Sequence, residues 1–226
     1  MKLYLLVEGK TEAVLYPRWI SYVAPGFCKA EHSDDVSPTG YYLFNCGGYP
    51  GLLVRAQNAA YDVHEKNYDC LAVCLDADDE EVAAKKAQVL EALKSTPLFD
   101  AKTRRWSKRI EVFVQRKCIE SWLLGNTKFF KPNPQAQTLA GYIRYYDVSQ
   151  KDPENMGKNG FDAASHFHYK YLSLVFKERN TELFENKTAR RKRKSCFDEI
   201  VKRSDEGDLS TFRSFFNFLL EIARIP

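Results

Sequence analysis

Three acidic motifs in this 226-residue chain have the composition and placement to act together. They are Val7-Glu8-Gly9-Lys10-Thr11-Glu12, Leu75-Asp76-Ala77-Asp78-Asp79 and Cys118-Ile119-Glu120-Ser121-Trp122. Carboxylates gathered at one edge repel one another, so a converging set calls for a divalent cation. Magnesium suits such a set, because it prefers oxygen ligands and keeps waters for substrate phosphates. Two such ions about 4 Å apart clamp the attacking and leaving oxygens of a phosphodiester. Gly9 lets the backbone turn tightly and a phosphate come close. Asp76 and Asp78, two residues apart beyond a strand, can both turn toward one ion as the chain leaves the sheet. Gly9-Lys10-Thr11 also copies the tail of a nucleotide-binding phosphate loop, but that loop needs a glycine where this chain has Tyr4.

The elements that position these residues follow from hydrophobic patterning. Leu3–Val7, Tyr41–Asn45, Cys70–Leu75 and Ile110–Val114 read as strands, and the third is apolar throughout, as a strand buried on both faces would be. Between them, a helix from about Thr11, with Thr11 as its cap, precedes helices marked by Leu52–Val63 and Val82–Leu93. A further helix starts at Ile119. This alternation predicts an α/β fold, a parallel sheet covered by helices. Each acidic motif then falls beyond the carboxyl end of a strand, where open sheets place their ligands. Residues 126–137 read as a connector and 147–160 as a loop, with helices marked by Phe161–Val175 and Phe212–Ala223. Residues 1–125 are therefore expected as the catalytic domain. Residues 126–226 are expected as a helical extension packed on it.

Composition narrows the class without naming a function. With 44% hydrophobic and 28% charged residues and apolar runs of at most five or six, the chain reads as globular, with no membrane span and no export signal. Six cysteines with no Cys-x-x-Cys pair imply reduced thiols and a cytoplasmic location. The histidines (His32, His64, His166, His168) do not pair with cysteines at zinc spacing. From Lys187 to Arg203 there are eight basic residues against two carboxylates, in a chain of net charge +4, so the remainder is net acidic. Its densest part, Arg190, Arg191, Lys192, Arg193 and Lys194, suits non-specific contact with a nucleic-acid backbone. Tyr145-Tyr146 could offer a stacking surface for single strands.

The first motif, followed by a strand ending Asp76-Ala77-Asp78, resembles the Toprim domain of topoisomerases, primases and several nucleases. Glu12, with Ile119-Glu120 and Trp122-Leu123-Leu124, narrows the resemblance to Toprim nucleases of the OLD (overcoming lysogenization defect) type and their small stand-alone relatives. The similarity covers roughly residues 1–125. It implies a Rossmann-like Toprim fold and a Mg2+- or Mn2+-dependent endonuclease of DNA or RNA, with one or two metals. By that resemblance Glu8 is a metal ligand or general acid/base, and Glu12, Asp76, Asp78 and Glu120 hold the metal. OLD-type sites also use a downstream lysine against transition-state charge. Lys158, in a glycine-flanked loop, is the first choice and Lys170 its rival. The family further suggests anti-phage defence beside a partner ATPase or sensor, and a homodimer. Three rival readings are a Toprim ribonuclease maturing structured RNA, a toxin cleaving tRNA, and a subunit silent until a partner releases it.

Overall fold

The computed structural model describes residues 1–131, 133–134, 136–179 and 189–225, with the backbone alone for 189–193. In chain order, β1 (Lys2–Val7) leads into α1 (Lys10–Val23), then β2 (Cys28–Ala30), β3 (Gly40–Asn45), α2 (Gly51–Glu65), β4 (Cys70–Asp76) and α3 (Val82–Leu93). The short strands β5 (Phe99–Asp100) and β6 (Arg105–Trp106) precede β7 (Arg109–Gln115) and α4 (Ile119–Leu124). After these come α5 (Gln137–Tyr145), α6 (Ala164–Arg179), α7 (Ala189–Asp205) and α8 (Ser210–Ala223), with 3-10 turns at Thr127–Phe129 and Pro153–Asn155.

The apolar runs became strands because both of their faces are covered. Every residue from Cys70 to Leu75 is fully buried, and β1 is buried from Leu3 to Val7. The parallel sheet has the order β2-β3-β1-β4-β7. Val7 lies opposite Asn45 on one side and Cys74 on the other. The ends of β1 and β3 are thereby level, with β4 running two residues further to Asp76, so the residues that follow emerge along one edge. On α2, Leu52, Ala56, Ala59, Ala60 and Val63 are buried at helical spacing.

Contact clustering divides the chain into two units. The first comprises Met1–Asp76, Glu81–Val114 and Asn217–Pro226, and holds the sheet with α1, α2 and α3. The second comprises Ala77–Glu80 and Gln115–Phe216. In this division α4 goes with the helical part. Trp122, fully buried, explains this: its ring meets Phe212 and Phe215 at centroid distances of 5.3 and 5.9 Å. Residues 77–80 join the same unit through backbone bonds, Ala77 N–H to the Gln115 carbonyl and Asp78 N–H to the Lys117 carbonyl, both 2.9 Å.

Other differences from the sequence pattern are local. Thr11 does not cap α1, which begins at Lys10 with Gly9 as its extended N-cap residue and no side-chain capping bond. The short strands β2, β5 and β6 and the helix α5 carry too few periodic residues to have been read. Among the described residues no helix is long and apolar enough to cross a membrane.

Candidate functional site

In the first unit, Glu8 leaves the sheet one residue beyond β1 and is held on three sides. Its N–H donates to the Cys74 carbonyl at 3.1 Å, and its carbonyl accepts the Gly48 N–H at 2.9 Å. Its carboxylate Oε2 accepts the backbone N–H of Asp76 at 3.0 Å. Adjacent parallel strands therefore deliver Glu8 and Asp76 to the same edge, each half-buried. Glu12, one turn into α1, is 3% exposed. It folds back over Gly9, where an added Cβ would lie 2.9 Å from its Oε2. A side chain at position 9 would therefore have to displace the Glu12 carboxylate.

Two thiols and a lysine complete this neighbourhood. Burial pushes the Cys46 thiol up to about 12, opposed by Arg55 and assisted by Glu8. Burial also pushes Cys74 well up, with Glu12 adding to it. Both stay protonated at neutral pH and leave the carboxylates as the anionic donors. Lys85 on α3 is 2% exposed, with its ammonium 3.7 Å from the centre of the Tyr49 ring. Tyr49 directly follows Gly48, whose N–H meets Glu8, so this buried cation belongs to the same edge. No sequence pattern marks it, since Lys85 looks like any helical lysine until the Tyr49 ring lies over its ammonium.

The second unit holds the remaining expected residues. Asp78 (φ 50°) and Lys117 (φ 73°) both adopt the left-handed region, which is unusual for residues other than glycine. Asp79 Oδ1 accepts the Ala164 N–H at 3.4 Å, at the start of α6. Glu120 sits in the first turn of α4, and burial raises its carboxyl above the usual range, with its own N–H and Cys118 opposing. Lys158 is exposed and its amine donates to the Asp162 carbonyl at 3.4 Å. Lys170 is exposed on α6. Lys194 is exposed on α7 and shared with Asp198 at 3.2 Å. The side chains of Arg190, Arg191, Lys192 and Arg193 lie outside the described residues. Tyr145 is 46% exposed, whereas the Tyr146 hydroxyl donates to the Asp152 carbonyl at 2.7 Å.

The five expected carboxylates are divided between the two units. Glu8, Glu12 and Asp76 belong to one unit and Asp78 and Glu120 to the other. Among the described residues no group of three or more His, Cys, Asp or Glu side chains is set to hold a metal ion. In the first unit the Glu8 carboxylate accepts the Asp76 amide and the Glu12 carboxylate lies against Gly9. The donor chemistry, carboxylate oxygen with the nearby thiols protonated, nonetheless fits a hard divalent cation.

No family model matches the chain. No curated protein and no solved structure matches it either.

Proposed function

We propose that this protein is a phosphodiesterase of nucleic acid dependent on magnesium or manganese, of the Toprim nuclease type. The observation that carries the reading is the Glu8–Asp76 pair. These are two carboxylate residues on adjacent parallel strand ends, locked in register by the 3.0 Å bond from the Asp76 amide. Open α/β sheets bind ligands at this edge. Glu8, Glu12 and Asp76 would hold the cation, by rotation of side chains whose backbones are already fixed. When bound, the cation neutralises charge at the scissile phosphate and acidifies water. Glu8 holds or passes a proton at its carboxylate, and Gly9 leaves the phosphate room to approach. By the family resemblance alone, Asp78 and Glu120 would also be metal ligands, and Lys158 or Lys170 would offset developing negative charge. Service beside a partner ATPase or sensor belongs to the same reading.

The test is cleavage of supercoiled plasmid, single-stranded DNA and tRNA with magnesium or manganese, comparing wild type with Asp76→Ala. Ion-dependent cutting that disappears in the variant is the expected result, and the substrate cut names the polymer. If wild type is silent but calorimetry detects magnesium binding that Asp76→Ala abolishes, the site stands and a partner is required. Absence of both cutting and binding removes the proposal.

A further inference from the structure

One polar chain in the second unit continues the capping box of α4 inward to a buried histidine. His168, on α6, is fully buried, and both of its ring nitrogens are engaged. Nε2 lies 3.1 Å from the Met156 carbonyl oxygen, and Nδ1 lies 2.8 Å from Ser121 Oγ. A carbonyl only accepts, so Nε2 carries the hydrogen and Nδ1 presents a lone pair into which the Ser121 hydroxyl donates. Ser121 Oγ in turn accepts the Cys118 N–H at 3.4 Å, at the start of α4. Directional bonds therefore run from Cys118 through Ser121 and His168 to Met156.

The three segments joined by this chain carry the second unit's candidate chemistry. Glu120 immediately precedes Ser121, Lys170 lies two residues after His168, and Lys158 lies two residues after Met156. Beyond Met156 the stretch turns back on itself, with the Phe161 N–H on the Lys158 carbonyl at 2.8 Å and the Phe161 ring against Tyr142 and Phe167, so His168 holds its Met156 end. Gly157 and Gly160 flank Lys158, Gly160 sits at φ 80°, and Lys158 itself is exposed. Filling this space would need only an apolar ring. A buried imidazole is tolerated only when both nitrogens are satisfied, and satisfying them fixes direction as well as volume. Helix α4 also contacts both α6 and the 3-10 turn at Pro153–Asn155, so the anchor itself is rigidly seated.

We propose that His168 is a positioning residue, tethering the Met156 end of the Lys158 loop to the helix that carries Glu120 and so fixing where the Lys158 amine is presented. This deepens the nuclease reading and rests on it for the role of Lys158.

Two conservative variants separate tether from filler. A glutamine amide reaches the place of Nε2 and can still donate to Met156, whereas an asparagine amide reaches only the place of Nδ1. Hydrogen exchange of the whole chain at neutral pH is the first readout. In His168→Asn the amides of residues 156–160 should exchange roughly 10-fold faster while β4 and α8 stay protected, and His168→Gln should resemble wild type. The second readout is a cleavage cycle with Lys158→Ala. His168→Asn should lower kcat on the order of 10²-fold with KM unchanged, as expected when a group is misplaced by about 1 Å. The double variant should then lose no more than Lys158→Ala alone. Unchanged exchange at 156–160 in His168→Asn overturns the proposal, as does loss of protection throughout the chain or additive losses in the cycle. Wild type that neither cuts nor binds magnesium sinks the nuclease reading alone, because the exchange readout decides the tether without catalysis.

Discussion

Position 9 separates what the site needs from what folding needs. A methyl group there would stand 2.9 Å from Glu12 Oε2, inside van der Waals contact. The atom it meets is the end of a flexible side chain, and the backbone of Gly9 is extended at φ −132°, a conformation that alanine adopts freely. Gly9→Ala should therefore leave stability within about 1 kcal/mol of wild type, in urea unfolding. If the proposed function holds, it should displace the Glu12 carboxylate and cut magnesium-dependent cleavage far more than stability. A variant that binds magnesium by calorimetry as wild type does would remove Glu12 from the ligand set. The same position shows how much of the site the sequence discloses. Glu8, Gly9 and Asp76 could be read because strand ends are visible in apolar runs and the sheet register does the rest. Glu12 folding back on Gly9 and Lys85 lying beneath Tyr49 could not, because each depends on contacts between elements far apart in sequence.

At the scale of elements, the joining of α4 to α6 is set by a group whose charge state matters. Burial holds the His168 imidazole neutral, down at about 4 against its ordinary 6.5. Bonds to the Met156 and Gly157 backbone resist that shift, Lys117 adds to it, and Asp79 opposes it. Between pH 6.5 and 4 the unfolded chain takes up a proton that the native ring refuses, so stability falls as pH drops through that window. The full contribution is about 3 kcal/mol, fully lost only near the lower end. His168→Gln cannot titrate and should lack this slope. The difference between the two proteins in urea unfolding at pH 7 and pH 4.5 isolates it, since their other groups are shared; equal slopes would show that the ring titrates normally. Elements of this second unit were also the harder ones to read. The four long strands and the helices α1, α2 and α3 have strong periodicity, whereas α5 has one buried residue, Leu139, and α4 looked like the end of the sheet domain. What assigns α4 to the helical unit is the packing of Trp122 against Phe212 and Phe215, residues some ninety positions away.

For the whole molecule, the distribution of charge decides how a polyanion would be held. The net charge of +4 conceals a basic segment large enough to leave the rest of the chain acidic. Within that segment the cations are not equivalent. Arg203 is 6% exposed and committed inward, donating to the Val148 carbonyl, to the Lys151 carbonyl at 2.7 Å and to Asp208 at 2.8 Å. Lys194 is partly neutralised by Asp198, and Lys202 by Glu206 at 3.8 Å. Phosphate binding should then rest mainly on Arg190, Arg191, Lys192 and Arg193, at the N-terminal end of α7. Each phosphate contact removed lowers the slope of log affinity against log salt by roughly 0.9 on duplex and roughly 0.7 on single strands. Reversing all four to glutamate should weaken binding uniformly across sequences and flatten that slope by several such steps, measured by fluorescence anisotropy in EDTA so that nothing is cut. Lys202→Glu, on the same helix but already paired, should change the slope by one step at most. If the fourfold variant keeps the wild-type slope, the block is a solvated surface, and the cations that meet the polymer lie elsewhere on the molecule.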